Sequence, residues 1–354
     1  MAMPVFCKAP FGKPNTMKKN ILFILLAIIC VSKRFTYAQD PVFSQFFFNP
    51  VFLNPAYAGA DKSIRMGVVV KSQWTTLNIP YSSIGVSYDQ ALLRFNGIGN
   101  RGKRTTNKVG IGANIISDVE GRGTFARTNV DFVYSYGFQP SYNSSLRFGI
   151  QASALMRNRN YYNLTFLDMI DQNGTITGTS GFTGQTTFNF DLGLGIVGDW
   201  ENLYGGVAVH HLLEPHDANS PNSYLPRKYT AHVGIDINLY SWYRRKDKLI
   251  LSPNVVFIQQ GRYYNMLHMG AYISYRSVVA GLWYRNNINF KGHAFMATIG
   301  YADDGLRVGY SYDFSILQHG LKGLPTSSHE VTVGWNFAYK KAKRRYRAVK
   351  CPKF

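Results

Sequence analysis

From residue 61 onward the chain alternates. Apolar and polar side chains exchange places at every residue over runs of about 9–15 residues, the period of a strand whose two faces meet different surroundings. From 188 to 196, Phe188, Phe190, Leu192, Leu194 and Ile196 alternate with Asn189, Asp191, Gly193 and Gly195. From 229 to 239, Tyr229, Ala231, Val233, Ile235, Ile237 and Leu239 alternate with Thr230, His232, Gly234, Asp236 and Asn238. The stretches 306–313 and 330–337 repeat the pattern. Fourteen runs can be traced, at about 64–74, 81–90, 107–118, 124–138, 144–157, 185–199, 202–212, 227–240, 247–258, 264–275, 278–287, 292–301, 305–313 and 329–339. Soluble strands average about 5–6 residues, whereas a strand crossing a bilayer needs about 9–11. Length separates the two.

The polar face of these runs is mostly Gly, Ser, Thr and Asn with few long charges, which suits a crowded interior better than bulk water. An open sheet edge in hydrocarbon would leave backbone groups unpaired at several kcal/mol each, so the sheet must close. The expected fold is all-β, a transmembrane antiparallel β-barrel of about 14 strands. Links after the fifth, seventh and thirteenth runs are long, and those after the sixth, tenth and twelfth are tight. Short periplasmic turns, longer outer loops and both termini on the periplasmic side fit that tendency. The segment 91–106, with Arg94, Arg101, Lys103 and Arg104, reads as a basic loop projecting into the periplasm.

Composition agrees. Aromatic residues make up 15% of the 354 residues and charged residues 16%, against about 25% charged in average proteins. The net charge of +20 is concentrated at the ends: residues 1–38 hold six Lys/Arg and 340–354 hold eight, with no acid in either. The body is only mildly basic, so the charge is no nucleic-acid footprint. Arg101, Lys103, Arg104, Lys343, Arg344 and Arg345 are the candidate partner contacts. In 17–39, Lys18 and Lys19 precede an apolar run from Ile21 to Val31, too short to span a bilayer but matching a secretory signal cut near Gln39. Met17 reads as the true start. The bulky Ile28 and Ile29 before Cys30 do not suit lipoprotein processing. The expected divisions are 1–38 signal peptide with upstream extension, 39–60 lead-in, 61–339 barrel and 340–354 basic tail. No Cys occurs in 39–339, so neither a disulfide framework nor a thiolate metal site is expected.

Catalytic chemistry finds no constellation. His210 and His211 should point to opposite faces of a strand and cannot easily share an ion with His216. Asp168, Asp171, Asn173 and Gly174 lack the Glu that closes a calcium loop. Ser327, Ser328 and His329 are neighbours without a Gly-x-Ser-x-Gly elbow. Glu330 is expected to pair with Arg307, and Arg127, Asp131, Asp191, Asp236 and Asp313 either to neutralise one another across the lumen or to line a pore. No catalytic residue, metal or cofactor is predicted.

The segment 40–60 alternates poorly and holds Asn49-Pro50 and Asn54-Pro55, a turn-rich lead-in. Its string Asn54-Pro55-Ala56-Tyr57-Ala58-Gly59, together with Gln73-Trp74, Leu251-Ser252-Pro253-Asn254, Leu282-Trp283-Tyr284-Arg285, Gly309-Tyr310-Ser311-Tyr312-Asp313 and Ser328-His329-Glu330, resembles the PorP/SprF family of outer-membrane proteins over about 40–339. The tail from Lys340 departs from that pattern. The resemblance implies a non-enzymatic component of type IX secretion and gliding, supporting export or surface anchoring of adhesins with a C-terminal sorting domain. Its implied partners are that adhesin and the periplasmic ring of the machine, with outer-membrane lipid around the barrel and no nucleic acid. A passive porin or small-molecule transporter is the alternative that the architecture alone allows.

Overall fold

A computed structural model of the chain describes residues 40–338, apart from 62, 75–80, 99–103, 142, 162–163, 172, 177–183, 217–223, 242–247, 263, 289–291, 304 and 316–326. The tail, Arg101, Lys103, Lys343, Arg344, Arg345 and the signal segment lie outside the described residues.

The strands are β1 (Ser63–Gln73), β2 (Tyr81–Ile98), β3 (Arg104–Glu120), β4 (Phe125–Ser141), β5 (Ser144–Arg159), β6 (Gln185–Trp200), β7 (Leu203–His210), β8 (Lys228–Ile235), β9 (Ile237–Ser241), β10 (Lys248–Gln260), β11 (Tyr264–Tyr275), β12 (Val278–Asn287), β13 (Gly292–Ala302), β14 (Leu306–Ser315) and β15 (Ser328–Ala338). Every neighbouring pair is antiparallel. β8 and β9 both pair with β10 in one register and form one crossing interrupted at Asp236; the register slips only beyond, between Asn238 and Tyr240, opposite Ile250 and Leu249. The crossings therefore number fourteen, and they close: β1 pairs with β15 from Ser63–Ala338 to Gln73–Ser328, and β10 pairs with β11 on the other side. No described helix is long and apolar enough to cross a membrane.

Alternation sorts the side chains as the sequence pattern requires. On β5, Phe148, Ile150 and Met156 point outward while Arg147, Gln151, Ser153 and Arg157 are buried inside. Phe188, Phe190, Leu192, Leu194 and Ile196 form the outer face of β6, with Asp191 buried. Turns at the rim where β1 begins and β15 ends are short. Two of them use a left-handed non-glycine residue, Glu201 (φ 52) and Arg276 (φ 55), in the two-residue hairpins that suit twisted strands. This is called the terminal rim below, and the opposite one the distal rim. The links between β5 and β6, β7 and β8, and β14 and β15, the longest in the chain, leave and rejoin the sheet at the distal rim.

Two expectations need correction. The segment 91–106 is not a projecting loop: β2 runs on to Ile98 and β3 begins at Arg104, leaving only 99–103 between them. A bulge at Leu92 inserts one residue between the pairs Ala91–Gly110 and Leu93–Val109, and an inserted residue reverses the alternation that marks a strand. The interior is also not uniformly small and polar. Towards β10–β13 it presents Val256, Ile258, Tyr272, Val279, Trp283 and Met296 as an apolar wall.

Candidate functional site: the occupied lumen

Residues 40–60 form no strand and are almost wholly buried inside the barrel. Proline starts each of their two short turns. A helix, α1 (Pro50–Leu53), carries Pro at its first position, where a missing N–H costs nothing. A 3-10 turn at Pro55–Tyr57 is capped by Asn54, whose Oδ1 accepts the Ala56 N–H at 3.0 Å. The turn-rich segment is thus a compact plug inside the barrel.

At the distal rim its first residue is held by wall charges. The Asp40 N–H donates to Gln260 Oε1 at 2.9 Å. Asp40 Oδ2 takes bonds from His211 Nε2 at 2.8 Å and Lys228 Nζ at 3.2 Å. His211 Nδ1 reaches Asp191 Oδ2 at 2.5 Å. Burial alone would raise the Asp40 carboxyl, yet His211 and Lys228 hold it well below the usual carboxylate range. Burial also works against a charged His211, but Asp40 and Asp191 push its imidazole up to about 9. Two residues of the next turn sit on a second cluster. Glu330 accepts the backbone N–H of Ser44 at 2.6 Å and of Gln45 at 2.9 Å. Lys71 lies 3.6 Å from Glu330 and 3.3 Å from Asp313, and donates to the Val42 carbonyl at 2.9 Å. Arg285 pairs with Asp313 at 3.2 Å, and Ser44 Oγ donates to it at 2.8 Å.

Further in, Phe46, Phe47, Phe48 and Leu53 pack into the apolar wall of β10–β13, each large side chain contributing about 1.5–3 kcal/mol by leaving water. The Arg307 guanidinium lies over the Phe48 ring, 4.9 Å from its centroid. Thr230 Oγ1 donates to the Leu53 carbonyl at 2.9 Å, and Tyr57 OH bonds His232 Nε2 at 2.8 Å.

Towards the terminal rim the plug meets the glycine-rich side of the wall. Asn54 Nδ2 donates to the carbonyls of Ile196 (3.1 Å) and Val207 (3.0 Å). Arg147 donates to the Ala56 and Ala58 carbonyls at 2.9 and 2.6 Å, and Ser135 Oγ to Ala58 at 2.6 Å. Arg65 pairs with Asp89 through Nε at 2.9 Å and donates to the Tyr57 carbonyl at 3.1 Å, while Asp89 accepts the Gly59 N–H at 2.9 Å. The inward glycines are niches for this string. A Cβ at Gly149 would stand on the backbone of Pro55 and Ala56, one at Gly195 on the Asn54 side chain, and one at Gly110 on the Ala58 carbonyl. Gly59 itself turns the chain into β1 with φ +60, pressed against the Gln90 carbonyl at 2.6 Å from an added Cβ.

The plug spans the lumen from one rim to the other. Asp40 sits where β7 and β10 end and β8 begins, whereas β15 ends at the opposite rim. Between these points the chain crosses the lumen before β1 starts. Asn54, Pro55, Ala56, Tyr57 and Gly59 come together in the plug, and Asp313 and Glu330 reach it from the wall. Tyr310, Tyr312 and His329 do not, since they lie on the outer face. There Tyr310 OH meets His329 Nδ1 at 2.8 Å, in a band of aromatic side chains suited to a membrane interface. Arg104 begins β3. Glu330 pairs with Lys71 rather than Arg307. His210 and His211 do not face opposite sides: β7 stops at His210, His211 turns with φ 58, and both are buried. Asp171 caps its own loop by accepting the N–H of Asn173 and Thr175. Among the described residues no group of three or more His, Cys, Asp or Glu is placed to hold a metal. Sequence reasoning missed Arg65, Lys71, Asp89 and Arg147. Their signal was a charge on the inward parity of a membrane strand, which is costly unless paired.

A family model of the type IX secretion system membrane protein PorP/SprF matches residues 35–335. This chain belongs to the PorP/SprF family. No curated protein matches it. Among solved structures, the PorP/SprF chain is similar to the toluene transporter TbuX of Ralstonia pickettii (11% identity, 82% of this chain and 93% of that one, TM-score 0.46). It is also similar to the toluene transporter TodX of Pseudomonas putida (10%, 86% and 95%, 0.45) and to a FadL homologue of Pseudomonas aeruginosa (12%, 81% and 93%, 0.42). A PorP/SprF chain folded as a closed fourteen-crossing barrel with an apolar outer face is an outer-membrane protein, and its family is one of secretion membrane proteins rather than an enzyme class.

Proposed function

We propose that this barrel is a non-enzymatic anchor of type IX secretion: its distal loops hold a secreted adhesin through a C-terminal sorting domain, and its terminal rim and basic tail face the periplasmic ring of the machine. Short turns at one rim and long loops at the other support placing the terminal rim in the periplasm. The observation that carries the reading is the plug. A lumen occupied by residues 40–60, bonded to wall residues at both rims, supports a scaffold over the passive porin. Two measurements on the full chain extracted in detergent test it. Single barrels in planar bilayers should be silent, and a secreted protein carrying a sorting domain should co-purify. Steady ion conductance with no such partner would favour the porin. Removing 340–354 should leave the barrel inserted and weaken periplasmic co-purification; unchanged co-purification takes the tail out of the scheme.

A further inference from the structure

Between the plug and the wall formed by β8 and β10 lies a recess of about 400 Å³, counting its open mouth. Its lining is mostly apolar. Phe43, Phe46, Phe52 and Leu53 come from the plug and Ile258 from the wall, with the Phe43 and Phe52 rings edge to face at 5.7 Å. Lys228 lines it too, but its charge is taken: the ammonium is held by Asp40 at 3.2 Å and lies 4.6 Å from the centre of the Phe52 ring. Gln45 and Thr230 are also engaged, Gln45 by the Glu330 carbonyl and the Thr332 hydroxyl, and Thr230 by the Leu53 carbonyl. Asn49 breaks the pattern. It lines the recess and is only 7% exposed, yet among the described residues neither of its amide atoms has a hydrogen-bond partner. It stands just before α1, where an asparagine ordinarily caps the helix, and makes no such bond. Five residues on, Asn54 does make the corresponding bond, to the Ala56 N–H. A buried amide with both its donor and its acceptor unmet is costly, and in this place it calls for a partner from outside the chain.

We infer that this recess is a binding site for a small, neutral, mainly apolar molecule that ends in a carboxamide or another group able both to donate and to accept a hydrogen bond. The rings and aliphatic side chains take the body of the ligand. Asn49 meets its end with a bond in each direction: Nδ2 donates to the ligand's carbonyl oxygen, and Oδ1 accepts the ligand's N–H. A charged molecule would bring an ion into an enclosure whose lysine is already paired. Because plug and wall each supply part of the lining, a bound ligand pins the plug to the wall and stabilises its seated state by mass action. Benzamide, water-soluble and carrying one ring and one carboxamide, is the probe, added to the full-length barrel in detergent. Amide exchange over residues 42–49 should slow as the ligand is raised, about tenfold at ten times its dissociation constant. Acetophenone, with a methyl group in place of the amino group, should bind about tenfold more weakly. Asn49→Leu, close in size and with no cap to lose, should weaken benzamide to the same degree and bring the two ligands level. Val42→Trp, which fills the recess from the plug side, should abolish the protection, and serves where Asn49→Leu fails to resist unboiled SDS as a folded barrel. Benzamide that protects nothing up to its solubility limit leaves water as the partner of Asn49 and overturns the site. Protection that persists in both variants, or equal binding of the two ligands by the wild type, overturns it as well. Each of these failures leaves the anchor reading standing, since that reading is tested by co-purification.

Discussion

Glu330→Ala offers a quantitative test of how the distal half of the plug is held. The carboxylate is fully buried, accepts two backbone N–H groups of the plug and stands 3.6 Å from Lys71. A hydrogen bond to a charged group contributes about 1.5–3 kcal/mol, and breaking a buried ion pair costs about 3–5 kcal/mol. Two effects reduce the loss. Lys71 keeps Asp313 as a partner, and water can reach the freed N–H groups through the distal mouth. A net loss of about 3 kcal/mol remains, or about a hundredfold in the opening equilibrium of this part of the plug. Amide exchange in detergent should therefore speed up about a hundredfold in residues 42–48. It should change little in 53–60, which Asn54, Arg147 and Arg65 hold independently. Glu330→Gln, which retains one acceptor, should fall between. Unchanged exchange at Ser44 and Gln45 in a folded Glu330→Ala barrel would refute the assigned role of the carboxylate. Equal acceleration through residue 60 would show that the plug opens as one unit.

Gly195→Val should push Asn54 out of its niche, releasing three hydrogen bonds worth about 1 kcal/mol each; exchange at 54–58 should rise while the outer wall stays folded. Arg147→Met, removing the donor to the Ala56 and Ala58 carbonyls, should act on the same segment, read in the same way. The His211 clasp depends on pH. Its folded value is raised to about 9 from an unfolded one near 6.5, so its stabilisation is complete below about 6.5 and is lost as pH rises through about 9. Asp40, held low, loosens only in strong acid. A spin label at Val42 should accordingly gain mobility near pH 9 and not near pH 5. Phe132→Arg, on the lipid face of β4, should destabilise the inserted barrel by about 2–4 kcal/mol in urea titrations.

The wall was legible because alternation is local: each strand declares its two faces in its own residues. Legibility failed where one residue changed the count, as at Leu92, which hid the second half of β2. The plug was illegible for a different reason. Asp40 meets His211, Ser44 meets Glu330 and Asn54 meets Val207, partners separated by 171, 286 and 153 residues. Nothing in a turn-rich aromatic segment says which distant surface will receive it. The wall did carry a trace of it, in charges such as Arg65 and Lys71 on the inward parity of β1 and in glycines at Gly149 and Gly195 opposite the proline turns. A lumen empty of protein needs neither.

The direction in which the plug is threaded limits how it could ever open. Residue 60 continues into β1 at the terminal rim, so the segment is hinged there, and Asp40 lies at the distal rim. Water or a ligand arriving from the distal side can loosen Asp40–Phe48 but cannot expel the rest, because the hinge lies behind it. Clearing the lumen requires drawing the whole segment back through the terminal rim, which breaks the Asp40, Glu330, Asn54 and Arg147 contacts together and exposes five phenylalanines at once. A barrel built this way resists opening from its distal rim and yields to a pull from the side of its own hinge. Glu330→Ala should therefore raise exchange without raising conductance, and only a chain lacking 40–60 should conduct; a conducting Glu330→Ala barrel would mean that the distal half alone seals the lumen.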